Sequence, residues 1–231
     1  MKQPLLSVKR KLWRQDDDHA ILHDDKYKAV REKVLIRDKY TCSHCEFKFN
    51  HYQEVHHSDD DHSNQSDENL TTICGLCHQV YHLGMTALRG SGFIAFIPEL
   101  TQTQVNSLAR TIFMQMNRLD ESSSYLKKVQ GLYGVFQERG SDTLKKVFYH
   151  GDKNKLDTSQ PMVLAQYLSL CSDEEYENRA EKLSGFVVVP TVQAFRNKQL
   201  EDYSVMLGSD NNKIDNYFEI FNSLISNGRN L

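Results

Sequence analysis

No stretch of this 231-residue sequence is apolar for the roughly 18 residues that a membrane-spanning helix requires; the longest apolar run, residues 92–97, has the length of a strand. Any membrane association is therefore expected to come through a partner. Residues 1–15 carry Lys2, Lys9, Arg10, Lys11 and Arg14 but lack the roughly 7–15-residue apolar core of a secretory signal, which points to a cytoplasmic protein. Internal repeats and low-complexity tracts are absent. Between positions 49 and 88 there is neither lysine nor arginine, although Glu54, Asp59, Asp60, Asp61, Asp67 and Glu68 all fall there. Cysteines suited to disulfides are lacking as well. Of the five cysteines, four form two Cys-x-x-Cys pairs, Cys42/Cys45 and Cys74/Cys77, and Cys171 stands alone. A reducing cytoplasm disfavours disulfides, and a thioredoxin-type redox site needs one such pair, not two.

What is present fits a soluble globular chain: 39% of residues are hydrophobic, and the length allows a small metal module joined to a larger helical body. Two thiolate knuckles at this spacing point to one structural zinc ion held by Cys42, Cys45, Cys74 and Cys77. Cys171, inside an apolar helical pattern, reads as a small buried hydrophobe. Residues 1–25 read as a charged arm, extended or partly ordered; its basic cluster suits an acidic partner, and a solvated tail is the simpler reading. Tyr27, Val30, Val34 and Leu35 recur at helical spacing up to Asp38. Residues 46–57 alternate loosely like a short hairpin, residues 58–68 form a polar loop, and residues 70–83 carry the second knuckle with a short helix.

Beyond Gly84, Gly90 and Gly92, residues 93–97 predict a buried strand ended by Pro98. Thr101 and Gln104 form a capping box ahead of Val105, Leu108, Ala109, Ile112, Phe113 and Met116, which predicts a helix to about residue 117. Further helical patterns run from Tyr125 to Gly140, through Leu144, Val147 and Phe148, over 162–170 and 174–183, over 193–203, and from Ile214 to Ile225. Residues 185–189 are β-branched and end at Pro190, so they predict a second strand. The fold class expected is α+β, mainly α. The boundaries expected are a charged arm at 1–25, a zinc module at 26–92, a mainly helical body at 93–205 and a C-terminal helix at 206–231.

His56 and His57 are adjacent, Asn69 follows, and His78 and His82 are one helical turn apart, so the last two can share a helix face. The combined order, Cys-x-x-Cys, His-His, Asn-Leu, Cys-x-x-Cys-His, then His, resembles HNH nucleases. That resemblance implies a ββα-metal fold, with His57 as general base, Asn69 orienting it, and His56, His78 and His82 on a second, catalytic metal ion. A purely structural alternative stands beside it: His78 and His82 brace the knuckle helix, His56 and His57 hydrogen-bond the Asp-rich loop, and Asn69 is a turn residue. The acidic surroundings argue against activity, because nucleic-acid binding rests on Lys and Arg at phosphates. A basic approach surface would have to come from Lys26, Lys28, Arg31, Lys33, Arg37, Lys39 or the arm.

Residues 92–102, Gly-Phe-Ile-Ala-Phe-Ile-Pro-Glu-Leu-Thr-Gln, followed by Val105-Asn106-Ser107-Leu108, resemble the strand-Pro-Glu-x-x-Gln-helix segment of the IcmJ/DotN family. Residues 185–190 with Phe195 are similar to its second strand-proline segment, and the resemblance extends over about residues 27–203. It implies an HNH-like zinc module without nuclease activity and an α-helical remainder. It further implies a cytoplasmic subunit of a Dot/Icm (type IVB) secretion coupling complex, at the inner-membrane face through its partners. Such a subunit binds an extended segment of a DotL-like coupling ATPase and other coupling-complex subunits, and helps receive effector proteins. On this reading there is no enzyme activity, no small-molecule substrate and no nucleic-acid partner. An active metal-dependent HNH endonuclease is the alternative.

Overall fold

Two pairs of short antiparallel strands organise the chain. The computed structural model describes residues 3–10, 24–61, 64–141 and 159–205. The first helix, α1 (Asp24–Arg37), lays Val34 and Leu35 against Val55 and Leu70. It ends where Lys39 and Tyr40 enter the left-handed region, and Asp38 accepts a 2.9 Å hydrogen bond from the Thr72 amide, pinning the helix end to a strand.

That strand, β2 (Leu70–Cys74), pairs with β1 (Gln53–His57) in the register Val55↔Thr72 and His57↔Leu70. The hairpin expected within residues 46–57 does not form. Thr41 and Lys48 make one isolated bridge, and positive φ angles at Glu46 and Tyr52 turn the chain, so β1 finds its partner beyond the acidic loop. After β2 come α2 (Gly75–His78), a single 3-10 turn (Gln79–Tyr81) and α3 (Leu83–Arg89), which stops at Gly90 with φ 59. Glycine meets no steric penalty in that left-handed cap.

Both strands expected further on exist, and they pair with each other: β3 (Gly92–Phe96) lies antiparallel to β4 (Phe186–Pro190), with Ile94 opposite Val188. Successive side chains point to opposite faces, so the sheet divides two cores. On one face Ala95, Val187 and Val189 meet Val105, Leu108 and Ile112 of α4 (Gln102–Arg118) and Val129, Leu132 and Phe136 of α5 (Ser124–Ser141). The Thr101–Gln104 capping box starts α4, as its sequence predicts. On the other face Ile94, Phe186 and Val188 meet Leu164 and Leu168 of α6 (Pro161–Leu170), together with Cys171, Leu183, Val80 and Leu83. Cys171 thus sits in the core.

Two expected helices are broken. Residues 174–183 form α7 (Asp173–Glu177) and α8 (Arg179–Lys182), separated at Asn178. Residues 193–203 begin as a 3-10 turn (Val192–Ala194), and α9 (Gln199–Val205) starts only after Lys198 takes φ 64. The arm is not a solvated tail over residues 3–10. Leu6 and Val8 are buried, Ser7 exchanges backbone hydrogen bonds with Val80 and Leu83, and Val8 is held at both N–H and C=O by the Tyr176 hydroxyl. Alternating apolar side chains let this extended segment act as a strap across the second core. The helix expected at 144–148, the rest of the arm (11–23) and the C-terminal helix (206–231) lie outside the described residues. Among the described residues no helix is long and apolar enough to cross a membrane.

Candidate functional site

The four paired cysteines come together from three local structures. Cys42 and Cys45 sit in a turn closed by the Glu46 amide on the Cys42 carbonyl, and the Ser43 amide bonds Thr72 O at 2.9 Å, tying the turn to β2. Cys74 ends β2, and Cys77 lies in α2. All four sulfurs are within 4.8 Å of one another, with Cys45 Sγ 3.6 Å from Cys74 Sγ. Contact among the thiols separates their protonation. A hydrogen bond from Cys42 pulls Cys45 far below the usual thiol range, while contacts with Cys42 and then Cys45 push Cys74 and Cys77 well above it. Buried sulfurs this close do not all ionise unless a cation lies among them.

The groups facing the sulfurs are donors. Arg110, buried on α4, has only N–H groups to offer; it places them 3.7 Å from Cys45 Sγ and 3.9 Å from Cys74 Sγ while its guanidinium lies 3.8 Å over the Phe47 ring. The orientation of Asn106 follows from its neighbours. The Val188 N–H donates to Gln102 Oε1 at 2.8 Å, which turns Gln102 Nε2 towards Val188 O and Asn106 Oδ1. Asn106 Nδ2 must then donate, and it reaches Leu76 O at 3.2 Å and Cys77 Sγ at 3.3 Å. Three of the four sulfurs therefore act as acceptors, the behaviour of thiolates. A buried four-thiolate set of this kind is able to hold a metal ion.

A second cluster lies across Tyr81. His56 of β1, His78 at the end of α2, and His82 bring one ring nitrogen each within 4.8 Å of the others. His78 and His82 do not share a continuous helix: α2 stops at His78, a 3-10 turn intervenes, and His82 has φ −130 and ψ 57. Their Nε2 atoms still face each other at 3.1 Å. Glu54 Oε2 lies 2.6 Å from His78 Nδ1, and the same carboxylate contacts Arg196. A carboxylate on Nδ1 holds the proton there and leaves Nε2 as a lone-pair donor, the tautomer that metal binding needs. Burial, then the closeness of His78 and His82, pushes the His56 pKa down to about 2, so its ring is neutral. Its ring stacks 4.3 Å from that of Tyr81, whose hydroxyl is 3.2 Å from His44 Nε2.

His57 and Asn69 are not members of this cluster. Neighbours on a strand point to opposite faces, and His57 stacks on Tyr27 of α1 at 6.1 Å. Burial lowers its pKa, with Asp59 opposing and Lys9 adding to the shift. Asn69 spans the acidic loop instead: its Oδ1 accepts from the Asp59 amide at 3.0 Å and its Nδ2 donates to Asn64 O at 2.8 Å. The acidic residues between positions 49 and 88 meet cations from outside that stretch. Lys33 pairs with Asp67 at 3.1 Å, Arg196 with Glu54, and Lys9 lies near Asp60 and Asp61.

Glu54, Arg196, Asn106 and Arg110 were not read as site residues from the sequence. For the last two a signal existed: Gln102, Asn106 and Arg110 are polar at four-residue spacing along a helix whose other face is apolar. No protein-family model matches the chain. The type 4 apparatus protein DotN of Legionella pneumophila is 28% identical over 183 residues, which cover 78% of this chain and 80% of that protein. This similarity, together with the two strand-proline segments, supports the resemblance of the chain to the IcmJ/DotN family.

Proposed function

We propose that the protein is a zinc-stabilised, non-catalytic scaffold subunit of a type IVB (Dot/Icm) secretion coupling complex. It binds a DotL-like coupling ATPase and other coupling-complex subunits, helps recruit effectors, and meets the inner membrane only through those partners. The observation that carries this reading is the similarity to DotN over most of both chains. Zinc is the metal best matched to four cysteine sulfurs, three of them on buried residues. The order β1, β2, α2, with cysteines at its two ends, supports an HNH-like module at residues 26–92. Pull-down of a DotL-like C-terminal segment by the intact chain is the test; failure with a verified cognate segment overturns the assignment.

One observation favours a second reading. The His56, His78 and His82 cluster, with Glu54 behind His78, suits a second divalent ion, which would polarise a phosphate oxygen when bound. Against activity, Asn69 is committed to the acidic loop, and Lys33 and Arg196 are paired with Asp67 and Glu54. An active HNH nuclease predicts magnesium- or nickel-dependent nicking of plasmid DNA that disappears in His57→Ala while the fold persists. No nicking under several metals retires it.

A further inference from the structure

We propose that α4 completes the cysteine metal centre, and that Arg110, Asn106 and Gln102 are positioning residues which couple metal loading to the β3–β4 sheet. The inference rests on the metal reading above and goes beyond it: the centre is a joint between the knuckles and the helical body, not a self-contained clip.

Charge supplies the first argument. Four thiolates around a divalent ion carry a net charge of about −2, and burying an uncompensated charge is costly. Arg110 brings a permanent positive charge to within 3.7 Å of Cys45 Sγ and 3.9 Å of Cys74 Sγ. Its own surroundings need those sulfurs equally. The guanidinium is buried, it also contacts the Phe47 ring and Ser107 Oγ at 3.2 Å, and among the described residues no carboxylate bonds it.

Connectivity supplies the second. Gln102, Asn106 and Arg110 lie one above another on α4, and all three are buried. The chain of bonds runs from Cys77 Sγ to Asn106 Nδ2, from Asn106 Oδ1 to Gln102 Nε2, and from both ends of the Gln102 amide to the N–H and C=O of Val188. Each amide in this chain has its direction set by the next, so Asn106 cannot turn away from Cys77 without breaking the Gln102 bond. The Val188 groups concerned are on the edge of β4, where Gln102 stands in for a further strand. The Cys77 sulfur and the sheet edge are therefore parts of one network, and a half-satisfied buried network is unstable.

The test uses the full chain, with zinc content and chelator competition as one readout and cobalt(II) substitution as another. Arg110→Met and Asn106→Leu are expected to weaken zinc binding by about 10–100-fold, the effect usual for groups that support metal ligands, and to shift the cobalt–thiolate charge-transfer band. Arg110→Lys, which keeps the charge but not the fork, is expected to recover part of the loss. In the wild type, chelating the metal is expected to speed hydrogen exchange at the Val188 amide and along α4; in Gln102→Leu the Val188 amide should exchange fast with or without metal. Wild-type affinity and an unshifted band in folded Arg110→Met and Asn106→Leu overturn the proposal while leaving the metal reading intact. So does chelation that frees the knuckle amides but leaves α4 and Val188 protected, a measurement that needs no variant to fold. A wild-type chain that takes up no metal sinks the metal reading, and this inference with it.

Discussion

Replacing Cys77 by serine removes one sulfur from the centre of the knuckle core, and the size of the effect can be worked out from what surrounds it. The buried residues of that core are Cys42, Ile73, Cys74, Leu76 and Cys77, with Phe47, Tyr81, Ala194 and Phe195 partly buried against it, so besides the cysteines two aliphatic side chains are fully buried in it. Burying each contributes about 1.5–3 kcal/mol. A structural zinc site contributes on the order of 10 kcal/mol of apparent folding free energy in units of this size, so the metal outweighs the burial of Ile73 and Leu76. Serine does not ionise near neutral pH, and at 77 it also takes away the acceptor of Asn106 Nδ2. Because domain stabilities are only about 5–15 kcal/mol, loss of the ion is expected to leave the knuckles unfolded at 25 °C. Zinc per chain, measured by mass spectrometry on native protein, should fall from one to well below one. Hydrogen-exchange protection should disappear from residues 42–47 and 70–78. A Cys77→Ser chain that carries no metal yet keeps wild-type protection and melting temperature would refute the reasoning, because the apolar packing would then suffice alone.

Cys171→Ser is expected to leave zinc content unchanged, since that thiol lies in the core around Leu164, Leu168 and Leu183 and bonds the Leu168 carbonyl; lowered zinc in this variant would implicate a different ligand set. Thr101→Ala removes the side-chain cap of α4 and should cost about 0.5–2 kcal/mol in chemical denaturation, with zinc stoichiometry intact. Glu54→Gln tests the histidine cluster through pH. Burial raises the Glu54 pKa, but the hydrogen bond from His78 and the charge of Arg196 outweigh it and bring the pKa from 4.5 down to about 2. A depressed carboxylate stabilises the folded chain fully above its unfolded pKa, and the contribution is lost as pH falls towards 2. The gap in melting temperature between wild type and Glu54→Gln should thus hold steady from pH 7 to 5 and close below about 4.5; a gap that widens in acid contradicts the assignment.

Legibility divided along the range of the signal. The Thr101–Gln104 cap, the two strand-proline segments and the buried Cys171 were readable because each is a property of a few neighbouring residues. The hairpin expected at 46–57 failed because its alternation says nothing about the partner, and β1 is satisfied by β2 across the acidic loop. Likewise the arm read as a solvated tail because Leu6 and Val8 make a weak local pattern; their burial depends on Val80, Leu83 and Tyr176, all distant in sequence. The missing lysine and arginine between positions 49 and 88 suggested an uncompensated acidic site, and cations from three other segments answer it.

By itself the sequence determined which side chains can bind a metal and where most helices and strands begin, since both follow from residue type and short spacing. Only the tertiary structure decided that α4 turns Asn106 and Arg110 towards the cysteine sulfurs, that Glu54 aims His78, and that Asn69 serves the loop instead of His57. The reason is physical: what faces a side chain is set by packing between segments far apart along the chain, and no local pattern encodes those neighbours.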